Sequence, residues 1–204
     1  MARFDLKQRV IEVKIVYYGP GLSGKTTNVR RLHGLIPTRF IGDLATLDTH
    51  DERTLFFDYF PYSSATTIGD FRLRLEVFSV PGQAQYIATR HMVLQNADGV
   101  IFVADSQGDQ LENNALALKD LEQNLKSYGK VPEDFPVVFQ YNKRDLAGSL
   151  SIDELERKLN PRHQPFFEAI AIEGKGVIQS FNAIVDLVKV AQARSIATRS
   201  GKPG

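Results

Sequence analysis

The chain is expected to fold as α/β, with a mixed, mostly parallel six-stranded sheet flanked by helices, and three observations predict this. Short runs rich in Val, Ile, Phe and Tyr alternate with stretches of helical spacing along most of its 204 residues. Residues 99–104 are apolar without alternation, as in a strand buried on both faces. Residues 61–70, between two other strand-like runs, are polar and too short for a helical crossover, so one pair of strands is antiparallel.

Taken in order, residues 10–18 form the first strand, which stops at Gly19-Pro20-Gly21, and a helix opens near Lys25 and runs to about His33. Residues 34–53 lose all periodicity, a loop longer than compact domains carry without a functional reason. Strands at 54–60 and 71–80 follow; in the second, Leu73, Leu75 and Val77 alternate with Arg72, Arg74 and Glu76. Beyond Pro81-Gly82 a short helix covers 84–94, and the apolar strand 99–104 then ends at Asp105.

Leu111, Leu118, Leu121 and Leu125 recur at helical spacing. The next strand, 137–141, delivers Asn142-Lys143-Arg144-Asp145 at its carboxyl end, where ligands gather in open α/β sheets. A helix at 151–159, with Asp153 and Glu154 in its first turn, precedes a strand at 166–172. The closing helix, from 177 to about 194, puts Val177, Phe181, Ile184, Val185 and Val188 on one face. One domain at 1–194 is expected, followed by a disordered tail at 195–204 of Ser, Gly and basic character.

Lys and Arg total 25 against 24 for Asp and Glu, a net charge of +1, which argues against nucleic acid as a partner. The absence of cysteine excludes disulfides, thiolate metal sites and lipid attachment through sulfur. Met1-Ala2-Arg3-Phe4 carries no acylation glycine, and no apolar run approaches bilayer length. A cytoplasmic protein without a direct membrane anchor is expected, recruited to a membrane or cell pole only through partners.

Gly19-Pro20-Gly21-Leu22-Ser23-Gly24-Lys25-Thr26 has the form G-x-x-x-x-G-K-[ST] between a strand and a helix, the context this phosphate-binding loop requires. Glycines let consecutive N–H groups and the helix N-terminus wrap an anion, Lys25 reaches the β- and γ-phosphates, and the Thr26 hydroxyl serves Mg²⁺. Thr27 continues the loop. The motif alone does not choose the base, since ATP-dependent kinases and transport ATPases share it.

Asn142-Lys143-Arg144-Asp145 has the form N-K-x-D. An Asp at Asp145 accepts from both N1–H and the exocyclic amine of guanine, a donor pair that adenine lacks. The Asn142 amide contacts the base and its neighbouring loops, and the apolar stem of Lys143 lies over the ring. Backbone N–H groups around Ala171, Gly174 and Gly176 either support the base oxygen or simply form a turn feeding the last helix.

Together these residues resemble the Ras-like small GTPases, from Glu12 to Ala193. The stretches 14–28, 51–58 and 102–106, with Asn142-Lys143-Arg144-Asp145-Leu146, are similar to the MglA-type branch, bacterial GTPases of gliding motility and cell polarity. One departure from the wider superfamily fits that branch: the D-x-x-G motif reads Ser79-Val80-Pro81-Gly82, with a hydroxyl in place of the usual metal-facing carboxylate. Ser79 either touches the Mg²⁺ shell through water or is a strand-end residue.

The resemblance implies a switch that binds GTP or GDP with Mg²⁺ and hydrolyses GTP slowly. Gln83, after Gly82, orients the attacking water, and Arg53 is an arginine finger supplied in cis. Thr54 closes over the γ-phosphate and ligates Mg²⁺, with Thr46 and Thr49 as alternatives in the same loop. The resemblance also implies that residues 35–53 and 83–90 reorganise with nucleotide state, and that the strand from Thr54 to Tyr59 shifts. A roadblock/LC7-type activating partner like MglB, an exchange factor and polarity or motility effectors are implied with it. The alternative is a GTP-binding scaffold without significant turnover, recruiting polarity or cytoskeletal proteins.

Overall fold

A three-residue strand, β1 (Arg3–Asp5), turns back antiparallel onto β2 (Val10–Tyr18), and β2 is the strand on which the sheet is built. The computed structural model describes residues 3–47, 57–82 and 86–200. After β2 come α1 (Lys25–Leu35), β3 (Ala45–Leu47), β4 (Phe57–Ile68), β5 (Phe71–Ser79) and α2 (Ile87–Leu94). Then follow β6 (Gly99–Asp105), α3 (Leu111–Ser127), β7 (Val137–Asn142), α4 (Ile152–Leu159), β8 (Phe166–Glu168) and α5 (Val177–Ser200).

The sheet runs β3-β4-β5-β2-β6-β7-β8, with β1 added beside β2. Parallel pairing links β5, β2, β6, β7 and β8, while β4 is antiparallel to β5 and β3 to β4. All six expected strands are therefore present, and β1 and β3 bring the sheet to eight strands. Both additions are three residues long, too short to show a period in sequence.

The pleat divides the core in two. Ile11, Val13, Ile15 and Tyr17 of β2 pack with Leu73, Leu75 and Val77 of β5 against α1 and α5, through Leu32, Phe181, Ile184 and Val188. Val16 and Tyr18 point the other way, with Phe102 and Phe139, onto α2, α3 and α4. Residues 99–105 and 137–142 are buried throughout, as parallel strands covered on both faces are. The carboxyl ends of β2, β5, β6 and β7 all open at one edge, since Tyr17 pairs with Ser79, Tyr18 with Phe102, and Asp105 with Asn142.

Several boundaries differ from those the sequence suggests. Residues 61–68 continue β4 rather than forming a turn: the Ser, Thr and Tyr there pair with β5 across a bulge between Ser63 and Thr67, and the chain reverses only at Gly69-Asp70. Pro61 sits inside the strand, and its carbonyl accepts the Gly42 N–H at 2.9 Å. The aperiodic 34–53 segment holds the end of α1, a 3-10 turn at Thr38–Phe40 and β3. β8 stops at Glu168, and Ala171–Glu173 is a 3-10 turn instead of strand. α4 starts on a capping box, with Ser151 and Glu154 each binding the other's backbone N–H. α5 extends past Arg194 to Ser200.

Candidate nucleotide site

The β2–α1 loop turns on Gly24, which holds φ +102 and precedes the first helical residue, Lys25. A side chain there would be strained, and its Cβ would land on the Asn142 amide. α1 has no acidic residue in its first turn, so no carboxylate of the helix itself competes with an anion for the N–H groups there. Ser23 is buried completely, while Leu22 at φ +60 is 88% exposed.

Lys25 is the cation of this loop and is only 6% exposed. Its ammonium donates to the Pro20 carbonyl. Burial, and after it the nearby Arg90 guanidinium, brings its pKa down to about 7. A phosphate beside it would supply the countercharge that the Pro20 carbonyl does not.

Around the loop lies a cavity of about 460 Å³, lined by Gly21, Leu22, Gly24, Lys25, Thr26 and Thr27, by Arg30, Asp58 and Ser79, and by Val80-Pro81-Gly82 and Tyr86. Gly82 approaches the loop so closely that a Cβ on it would overlap Gly21 N and the Pro20 carbonyl. A second, smaller cavity, of about 160 Å³, adjoins the first at Leu22, Gly24 and Thr27, and is completed by Asn142, Lys143, Asp145, Leu146, Ala171 and Ile172. The two motifs, far apart in sequence, thus line one continuous groove.

Asn142 joins them. Its Nδ2 donates to the Ser23 carbonyl at 2.8 Å and its Oδ1 accepts the Ala171 N–H at 2.9 Å. The Ala171 N–H expected to support a base oxygen is therefore engaged by Asn142 here. Lys143 adopts φ +65, and its ammonium lies 2.6 Å from Asp105 Oδ2 at the end of β6, which fixes the stem along the cavity wall.

A family model described as Ras family matches residues 14–190, which include both loops. The chain belongs to the Ras family. It is a guanine-nucleotide switch that binds GTP and GDP and hydrolyses GTP. The mutual gliding-motility protein MglA of Myxococcus xanthus is 42% identical over 188 residues, spanning 92% of this chain and 96% of that protein. ADP-ribosylation factor-like protein 1 of Saccharomyces cerevisiae is 25% identical over 186 residues, 89% of this chain and 90% of that protein. ADP-ribosylation factor-like protein 2 of Arabidopsis thaliana is also 25% identical, over 187 residues, 88% and 89% of the two chains.

The phosphate end of this Ras-family site fits a hard divalent cation. The Thr26 and Ser79 hydroxyls and the Asp58 carboxylate line the same cavity, an all-oxygen donor set. Among the described residues no group of three His, Cys, Asp or Glu side chains is placed to hold a metal by itself. A small cation sharing its shell with phosphate oxygens and water suits this better than one caged by protein.

Of the expected site residues, Gly21, Leu22, Ser23, Gly24, Lys25, Thr26 and Thr27 come together with Ser79, Gly82, Asn142, Lys143, Asp145 and Ala171 around this groove, while Gly19, at φ +139, lies behind it against the Val103 carbonyl. Arg53, Thr54 and Gln83 lie outside the described residues, as does Thr49. Thr46 stands in β3, where it pairs with Asp58. Sequence reasoning missed Asp58, Arg30 and Asp105. A charged residue two positions before the buried Phe60 puts a carboxylate on the inward face of β4, and that alternation was a usable sign.

Proposed function

We propose that this protein is an Mg²⁺-dependent GTP switch of the polarity and gliding-motility type, with its hydrolytic residues supplied in cis and aligned by a partner. The observation that carries the reading is the Asn142 amide, which ties a phosphate loop to a guanine-type base loop through Ser23. The 42% identity to a mutual gliding-motility protein supports the biological setting.

Arg53 and Gln83 are the residues for turnover. Gln83 follows Gly82 at the cavity wall and orients the attacking water, and Arg53 offsets charge developing on the phosphoryl oxygens. Thr26 and Thr54 hold Mg²⁺, which when bound neutralises charge on the β- and γ-phosphates. Intrinsic turnover is slow, and a roadblock-type partner resembling MglB speeds it by arranging Arg53 and Gln83 rather than by donating an arginine. Effectors recruit the GTP form to a cell pole. Among the described residues no helix is long and apolar enough to cross a membrane.

Single-turnover phosphate release, with and without a roadblock-type partner, tests this on wild type, Arg53→Ala and Gln83→Leu. Stimulation of wild type and loss of it in both variants is the expected pattern. Wild-type stimulated rates in Arg53→Ala would end the cis-finger reading, and undetectable turnover in wild type would favour a scaffold. Displacement of fluorescent GDP by ATP as readily as by GTP would remove the guanine assignment.

A further inference from the structure

The metal-facing position at the end of β5 is a serine, yet the cavity does not lack a carboxylate. Asp58 of β4 lies directly across the antiparallel pair from Ser79, continuing the register in which Tyr59 faces Phe78. The Ser79 hydroxyl donates to Asp58 Oδ2 at 2.9 Å, and the Asp58 N–H donates to Ser79 Oγ at 3.2 Å. Asp58 is 3% exposed and lines the phosphate-loop cavity with Lys25 and Thr26. Arg30, more than half exposed and also lining this cavity, stands 3.7 Å from its other oxygen.

We infer that Asp58 supplies the carboxylate of the Mg²⁺ site that Ser79 cannot, with Ser79 positioning it; the inference rests on the guanine-switch reading above. The Ser79 hydroxyl has only one proton, and Asp58 takes it. What remains at Ser79 is an oxygen lone pair, a neutral donor, while the negative charge sits one hydrogen bond away on the neighbouring strand. An anionic oxygen at a phosphate-binding cavity repels the ligand unless positive charge offsets it; Arg30 meets Asp58 at Oδ1, and a metal ion would meet the carboxylate from the phosphate side. Thr26 on one wall and Asp58 on the other are the protein donors around that cation. The acidic group of the site has thus moved from the end of one strand to the inward face of its neighbour.

The test uses the full chain loaded with GDP and Mn²⁺ as the probe, read by electron paramagnetic resonance, beside fluorescent GDP affinity in excess chelator. Wild-type GDP binding is measured first, and its absence would overturn the guanine reading itself. Asp58→Asn is expected to weaken Mn²⁺ binding by about 10- to 100-fold while leaving GDP affinity in chelator unchanged. Ser79→Ala, which keeps the carboxylate, loses less, and Ser79→Asp in the Asp58→Asn background recovers most of the loss.

Three results would overturn the inference. Mn²⁺ affinity in Asp58→Asn close to wild type removes the carboxylate from the metal shell. An equal loss of GDP affinity in chelator makes Asp58 a structural residue of β4. A loss of about 100-fold or more in Ser79→Ala, which keeps the carboxylate and can be read even if Asp58→Asn does not fold, assigns the metal to Ser79.

Discussion

The Asn142 amide donates to the Ser23 carbonyl oxygen across 2.8 Å, so the base loop and the phosphate loop are hydrogen-bonded to each other. The same side chain also holds the Ala171 N–H, and it is buried to 3% exposure. One residue therefore ties three loops together at the site. Its hydrogen bonds are made to the fold itself, which separates it from residues that act only on the ligand.

Asn142→Ala should lower the stability of the nucleotide-free protein as well as its affinity for GDP. Truncation leaves the Ser23 carbonyl and the Ala171 N–H without their partner in a buried setting, a cost of about 2 to 4 kcal/mol. Thermal melting in the absence of nucleotide reads this directly. Asp145→Ala, by contrast, removes a groove-lining carboxylate with no part in that bridge, and should weaken GDP binding with little change in melting. If Asn142→Ala melts like wild type, the bridge between the loops is not a structural element.

Gly82→Ala places a methyl group against the Pro20 carbonyl and Gly21 N, backbone atoms that cannot rotate away. The phosphate loop and the 80–82 segment must then separate, at an overpacking cost of about 1 to 3 kcal/mol. Because both segments line the phosphate cavity, the loss should appear as weaker binding of both GTP and GDP, on the order of tenfold. Equilibrium titration with fluorescent analogues of each nucleotide decides it, and unchanged affinities for both would contradict the close approach.

Much of the site was legible because its chemistry is local in sequence. Gly19 to Thr26 and Asn142 to Asp145 are contiguous, and each follows a strand whose apolar run identified it. What sequence did not yield depends on strand pairing. Asp58 becomes a partner of Ser79 only through the antiparallel register of β4 and β5. Asp105 meets Lys143 only because β6 and β7 end level with each other. The polar run after Pro61 looks like a turn by composition, and pairing with β5 overrides that preference. Residues 169–172 have strand-like character, but the chain leaves the sheet after Glu168 for the tight Ala171–Glu173 turn, whose Ala171 N–H Asn142 holds.

Asp98 gives a pH dependence whose sign follows from its surroundings. Burial raises its pKa above the ordinary 3.8, against the Lys14 N–H, Lys130 and Gln192, which pull it down. Between 3.8 and the raised value the folded state binds more protons than the unfolded state, so stability falls as pH rises through that window. Asp98→Asn removes this contribution. Its stability measured by urea unfolding, relative to wild type, should therefore improve as pH rises from about 4 through the raised value. A constant difference across that range would mean that Asp98 titrates alike in both states.

Arg90 binds α2 to the body of the protein through a network that the nucleotide motifs do not reveal. Its Nε lies 3.1 Å from Asp120 Oδ2 on α3, and the Tyr18 hydroxyl donates to that same oxygen at 2.5 Å. Asn124 then donates to the Tyr18 oxygen at 3.2 Å, so β2, α2 and α3 share one polar cluster. Asp120 is 30% exposed, so Arg90→Ala should cost about 1 to 3 kcal/mol rather than the full cost of a buried pair. The change also removes the positive charge that, after burial, lowers the Lys25 pKa. Because α2 follows directly on the segment that carries Gln83, its loosening should show first in that helix. Amide hydrogen exchange should accelerate at 87–94 in Arg90→Ala while β2 and β6 keep their protection. Uniform acceleration over sheet and helix would instead place Arg90 in the global stability of the fold, with no separate hold on α2.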